Sequence, residues 1–201
     1  MEDTYRTIAT TATAELKVEG SRFIGRAFHA ATVSKAEAVI EGVRTDARDA
    51  THHCSAYRID ADTFRYDDDG EPSRTAGPPM LRQIDALGLV QTLVVVTRYY
   101  GGTNLGTGGL IRAYGQSAAE ALAAASIATR VRKVSVHIRF AYPDTGPVMR
   151  VLDQFDAAMV ERSYGQETML QVAVRAGAVP DFRTAFVEAT KGAGKIKRSE
   201  T

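Results

Sequence analysis

Apolar positions recur along this chain with two periods, and the periods predict alternating strands and helices. Residues 4–17 alternate weakly and are rich in Thr, which predicts one extended edge segment broken at Gly20 and Ser21. RFIGRAFHA (22–30) reads as a second strand. Ser34 followed by Glu37 matches a capping box, and Ala36, Val39, Ile40 and Val43 then share one face of a helix reaching about residue 48. Cys54, Ala56 and Arg58 alternate with Ser55, Tyr57 and Ile59 in a third strand, and 63–66 returns after a turn at 60–62. Pro78 and Pro79 suit the first turn of a helix that points Met80, Leu81, Ile84 and Leu87 inward and ends near Gly88. The continuous apolar run 91–97 predicts the central buried strand. Leu110, Ile111, Tyr114, Ala118, Ala121, Leu122 and Ala125 then recur at helical spacing to about residue 128, with alanines that predict close approach to a sheet.

The last third repeats the alternation on a smaller scale. Residues 129–140 read as one strand, Asp144 as the cap of a helix to about residue 158, and 160–164 with 167–176 as a hairpin turning at Gly165. A helix over 180–191 and a short strand over 195–197 complete the order, which fits a ferredoxin-like α/β sandwich. The expectation is therefore an α+β protein of two domains, 1–129 and 130–201.

Composition narrows the class. The 201 residues are 44% hydrophobic and 24% charged, ordinary for a soluble globular protein. No apolar run approaches the roughly 20 residues of a membrane span, so no membrane partner is expected. The N-terminus is acidic and polar, unlike a signal peptide. Cys54, the single cysteine, excludes an internal disulfide and suits a reducing compartment, hence a cytoplasmic protein. The net charge of +1 is unevenly spread: residues 1–130 carry a net −2 and residues 131–201 a net +3, ending in a mildly basic tail.

The chemistry centres on VVVTRYYGGTNLGTGGLIRAYG (94–115). A strand feeds a helix through Gly101, Gly102, Gly106, Gly108 and Gly109, flanked by Arg98 and Arg112. Free N–H groups and the helix dipole at such a junction attract anions. Standard fingerprints fail, however. Thr107-Gly108 stands where a P-loop requires Lys-Ser/Thr, and Ile111 where a dinucleotide fingerprint wants Gly or Ala. An anion site and a purely structural loop stay open. The acidic run Asp67, Asp68, Asp69 and Glu71 reads more readily as a solvated turn than as a metal site, and neither His52–His53–Cys54 nor any other stretch has zinc spacing. No metal or cofactor is expected. Cys54 reads as core. Tyr99, Tyr100 and Tyr114 could stack on bases or border a core.

Three blocks, HHCSAYRI (52–59), DDGEPSRTAGPPML (68–81) and TRYYGGTNLGTGGLIRAYG (97–115), together with Ser21-Arg22-Phe23-Ile24, resemble the Impact/YigZ family over residues 15–125. Residues 131–195 resemble the small C-terminal domain of its bacterial and archaeal members. The resemblance implies an N-terminal mixed-sheet domain of the superfold shared by a small-ribosomal-subunit protein and GHMP kinases, with a left-handed βαβ crossover. It also implies a C-terminal domain like one in elongation factors. Its eukaryotic members are translational regulators in the amino-acid-starvation pathway, and nucleic-acid or ribosome binding is proposed for the prokaryotic ones. Arg74 stands where the family usually has Gly, Tyr100 where Phe is usual, and Asn104 where Lys is frequent.

The reading that follows is a translation-associated stress-response regulator. It contacts RNA phosphates, the ribosome or a translation-regulatory protein through Arg98, Gly101, Gly102, Gly106, Thr107, Gly108, Gly109, Arg112 and Tyr114. Arg74, Asp69, Glu71 and His53 complete the candidate site. The alternative is an enzyme or small-ligand binder holding a phosphorylated metabolite or nucleotide between loops 67–77 and 98–112, with Asp69 or Glu71 as base. The first reading is favoured, no catalytic residue is assigned, and the oligomeric state is open.

Overall fold

The N-terminal alternating stretch is two strands, β1 (Thr4–Ile8) and β2 (Ala12–Val18), rather than one. The break falls at residues 9–11, where the Ala9 N–H turns aside to the Ser126 carbonyl. β3 (Ser21–His29), α1 (Val33–Asp46), β4 (His52–Arg58), β5 (Phe64–Asp67), α2 (Gly77–Ala86), β6 (Thr92–Tyr99) and α3 (Gly106–Ala124) follow in the expected order. Helix α1 is capped by Thr32, whose hydroxyl accepts from the Lys35 N–H, and not by Ser34. Helix α3 stops four residues short of the expected end, because the chain turns extended at Ala125 to enter β7 (Ile127–Val131).

The computed structural model describes residues 3–198, the side chain of Tyr164 excepted. Its contacts divide the chain into a unit spanning Arg6–Arg130 and a second that runs on from Val131 and takes in the segment ending at Tyr5. β1 and β7 form a two-stranded sheet.

The first unit is built on a five-stranded sheet ordered β2-β3-β6-β4-β5. Every pairing in it is antiparallel. The expected mixed character survives only indirectly: β3 and β4, joined through α1, run the same way on either side of β6. The continuous apolar run of β6 is explained by two cores. Val94 and Val96 pack with Phe23, Met80, Ile84, Leu110, Tyr114 and Leu122 beneath α2 and α3. Leu93 and Val95 pack with Ile40, Val43 and Tyr57 beneath α1. Strand parity thereby sends alternate apolar side chains of β4 and β6 to the two cores.

The second unit holds β8 (Lys133–Phe140), α4 (Thr145–Gln154), β9 (Ala158–Tyr164), β10 (Thr168–Arg175), α5 (Val179–Ala189) and β11 (Lys195–Arg198). The single strand expected over 129–140 is β7 and β8, divided at Arg132. Asp144 precedes α4 without a side-chain cap bond. The sheet order β11-β8-β10-β9, antiparallel throughout, is the ferredoxin-like arrangement. Val136, Ile138, Phe140, Leu170, Val172 and Val174 pack against Val148, Leu152, Phe182 and Phe186, so α4 and α5 cover one face of the sheet.

Candidate functional site

Two loops carry the candidate residues, and they meet at one buried point. Loop 68–76 joins β5 to α2. Its Asp68 carboxylate accepts from the backbone N–H groups of Arg74, Ala76 and Gly77, which ties the loop to the start of α2. The Asp69 carboxylate accepts from the His53 N–H and from Arg44. These acidic residues are therefore internal fasteners of the loop, and the solvated-turn expectation does not describe them. Arg74 has φ +66°, in the left-handed region that explains a glycine preference there. Its exposed side chain makes no hydrogen bond or ion pair among the described residues.

Glu71 points inward from this loop. Arg98 shares the strand face of Val94 and Val96, so it reaches the same core, and its Nη1 donates to Glu71 Oε1 over 2.6 Å. The Tyr114 hydroxyl, from α3, donates to the same oxygen over 2.7 Å. Both Glu71 and Arg98 are buried. Arg98 also lies over the rings of Phe23 and Tyr100, and Phe23 meets Tyr114 edge to face. Burial pushes the Tyr114 phenol far above its ordinary range, so it stays protonated and acts as a donor. Burial likewise pushes up the Cys54 thiol, which donates to the Asp68 carbonyl.

This geometry revises several candidate roles. Arg98 is committed to a buried ion pair and Tyr114 is wholly enclosed, so neither presents itself to a phosphate or a base from solvent. The space between loops 67–77 and 98–112 is occupied by Glu71, Arg98 and Tyr114. His53 lies on the opposite face of the sheet, where its Nε2 donates to the Ala47 carbonyl and its Nδ1 accepts from Thr97. Its neighbour His52 is the one that joins the cluster. Its Nδ1 donates to the Asp69 carbonyl, and its Nε2 lies 3.9 Å from Glu71 Oε1. The alternation of Cys54 and Ala56 already places His52 on that face, a signal the sequence reading left unused.

The glycine loop is pinned from the other side. Glu19 and Gly20 turn β2 into β3, both with positive φ. The Ser21 hydroxyl, just after the turn, accepts from the Gly101 N–H and from Arg98 Nη2. A Cβ on Gly101 would lie 2.0 Å from the Gly20 carbonyl carbon, so close backbone approach explains that glycine. Gly106 is explained by its φ of +63°. Asn104 Oδ1 accepts from the Gly106 N–H, so this residue orders the entry to α3.

What remains open to solvent is the far side of the loop. Gly102, Thr107 and Gly108 are exposed, and Leu105 at the head of α3 offers no side-chain cap. The N–H groups of the first turn therefore have no intrahelical acceptors. A cavity of about 450 Å³ opens between the loop and the β2–β3 turn, lined by Thr103, Asn104, Leu105, Gly109 and Arg112 on one side and by Val18 and Glu19 on the other. Arg112 makes no hydrogen bond or ion pair among the described residues. No group of three or more His, Cys, Asp or Glu side chains among them is placed to hold a metal.

Comparison with known proteins settles the kinship. The family model of the Impact N-terminal domain matches residues 19–122, and a domain of unknown function (DUF1949) matches residues 138–193. IMPACT family member YigZ of Escherichia coli (strain K12) is 34% identical across 88% of each chain. The chain belongs to the IMPACT family. IMPACT family member YvyE of Bacillus subtilis (strain 168) is also 34% identical, covering 100% of this chain and 93% of its own. The Protein IMPACT homolog of Saccharomyces cerevisiae (strain ATCC 204508 / S288c) is 36% identical over 48% of this chain and 39% of its own. Among solved structures, one titled as a hypothetical protein is 31% identical with a TM-score of 0.77, covering 100% of this chain and 99% of its own. Both IMPACT units are thus present here, and the glycine loop and the cavity lie in the N-terminal one. Among the described residues no helix is long and apolar enough to cross a membrane.

Proposed function

We propose that this IMPACT family member is a cytoplasmic, translation-associated regulator that binds RNA through the cavity at the head of α3. The observation that carries the reading is Arg112: a cation without a carboxylate partner among the described residues, lining a cavity that Leu105 and Gly109 at the head of α3 also line. An RNA phosphate gives that guanidinium an acceptor, at the helix end that favours an anion. Glu19, the acidic residue of the lining, offers an acceptor for a ribose 2′-hydroxyl, which favours RNA over bare phosphate. The buried Glu71–Arg98–Tyr114 joint supports this role by fixing the strand that enters the loop and the helix that leaves it.

The enzymatic alternative loses its base in this arrangement. Glu71 already accepts from Arg98 and Tyr114, and Asp69 from His53 and Arg44. The deciding experiment is binding of single-stranded RNA to the full chain and to Arg112→Ala. Weakened binding in the variant, with its melting temperature unchanged, supports the assignment. Equal binding by both removes it.

A further inference from the structure

The second unit leaves one face of its sheet uncovered. Ile138, Leu170 and Ile196 turn toward α4 and α5, and the residues between them turn the other way. That outer face holds a cavity of about 540 Å³ whose lining includes Lys195, Lys197, Arg139, His137, Met169 and Gln171.

The register of the sheet places two fixed cations, Lys195 and Arg139, side by side. Lys195 pairs with Arg139 and Lys197 with His137 across β11 and β8. Cations directly opposite each other destabilise a sheet. Glu167, 2.8 Å from Arg139, relieves one of them. Neither lysine makes an ion pair among the described residues. Toward the other edge the face changes character. Met169, 47% exposed, sits across from Arg139 and gives an apolar surface, while Gln171 donates to Ser135 and pairs with Glu161 across β10 and β9. Lys195, Lys197 and Arg139 thus stand along one side, Met169 gives an apolar floor, and Gln171 and Glu161 lie along the other, where Arg162 also enters the lining.

We infer that the open face of the C-terminal sheet is a binding surface for single-stranded RNA, independent of the Arg112 site. Lys195 and Lys197 take consecutive phosphates, a base lies on Met169, and Gln171 and Glu161 meet its edge. The cavity is of small-ligand size, large enough for one nucleotide. A duplex, whose bases are stacked inside, has nothing to place in it. An acidic peptide fits the lysines but leaves the Met169 floor and the base-edge groups unused.

The test uses the full chain and a labelled mixed-sequence oligoribonucleotide of about twelve nucleotides, with fluorescence anisotropy read over a salt series. Two variants are compared with the parent: Lys195→Ala/Lys197→Ala, and Met169→Glu. All three positions are solvent-facing, and unchanged melting temperatures confirm the fold. The double variant is expected to bind about tenfold or more weakly and to lower the salt slope by about 1.4, the value for two phosphates on a single strand. Met169→Glu is expected to weaken single-stranded binding, and duplex RNA of equal charge to bind less tightly to the parent. Parental affinity in both variants overturns the inference, as does displacement of RNA by polyglutamate at equal charge, which would mark an acidic-peptide surface. Arg112→Ala in the same series separates the two sites. Loss only in that variant removes the sheet face and retains the loop, and loss only in the sheet variants does the reverse.

Discussion

Glu71 and Arg98 form a 2.6 Å ion pair in which both side chains are nearly inaccessible to solvent. It joins loop 68–76 to strand β6 through residues 27 apart in sequence. Removing one partner of such a pair leaves an uncompensated buried charge, a cost of about 3–5 kcal/mol. Glu71→Ala is accordingly expected to lower unfolding stability by that order, read as the shift of the urea midpoint. Glu71→Gln, which keeps an acceptor oxygen, is expected to lose less. Tyr114→Phe removes one donor to a charged group and is expected to cost about 1.5–3 kcal/mol. A Glu71→Ala loss below about 1 kcal/mol would contradict the burial described here.

Two glycines of the same loop are expected to respond in opposite directions. At Gly101 a new Cβ would meet the backbone of Gly20 at 2.0 Å, so the β2–β3 turn must shift. Gly101→Ala is expected to destabilise by about 3 kcal/mol, the upper range for overpacking. At Gly108, inside α3, a Cβ would meet only the Arg112 guanidinium at an ordinary 3.5 Å. Gly108→Ala is expected to stabilise by up to about 1 kcal/mol through helix propensity. Matched melts of the two variants check this, and a stable Gly101→Ala would refute the close approach.

Burial holds the His53 imidazole below its ordinary pKa, and the same holds for His29. The unfolded chain therefore binds protons more readily than the folded one. The stabilisation is complete above the unfolded value of about 6.5 and declines as pH falls toward the lowered folded value. Urea midpoints measured from about pH 7 to about pH 5 are expected to fall, and to fall less in His53→Gln. His29 keeps part of the slope in that variant. An unchanged slope would exclude His53 as a contributor.

Cys54 is wholly buried and its thiol is pushed up by burial, so very little thiolate exists near neutral pH. The native protein is expected to resist a thiol reagent that labels the urea-unfolded chain rapidly. Fast labelling of the folded protein would show that the core opens readily around loop 68–76.

Much of this architecture is legible in the pattern of apolar positions, because period alone separates β6 from α3. The splits of β1 from β2 and of β7 from β8 are not, since residues 9–11 and Arg132 include no glycine or proline to mark a break. Within the site, the Gly101 and Gly106 requirements are visible as glycine density but not as distinct causes. The Glu71–Arg98 contact is invisible in the sequence, because nothing local distinguishes a carboxylate that will fold inward from Asp67 or Asp68 beside it. His52 is the instructive case. Strand parity, carried through from Cys54 and Ala56, selects it over His53 without any structure.

Arg112, and not the buried Arg98, is the cation of the glycine loop proposed to meet RNA. The most direct measurement is the salt dependence of single-stranded RNA binding by the full chain and by Arg112→Ala. Loss of one phosphate contact is expected to reduce the slope of log K against log salt by about 0.7, with affinity falling at every salt concentration. An identical slope and affinity in the variant would contradict the claim.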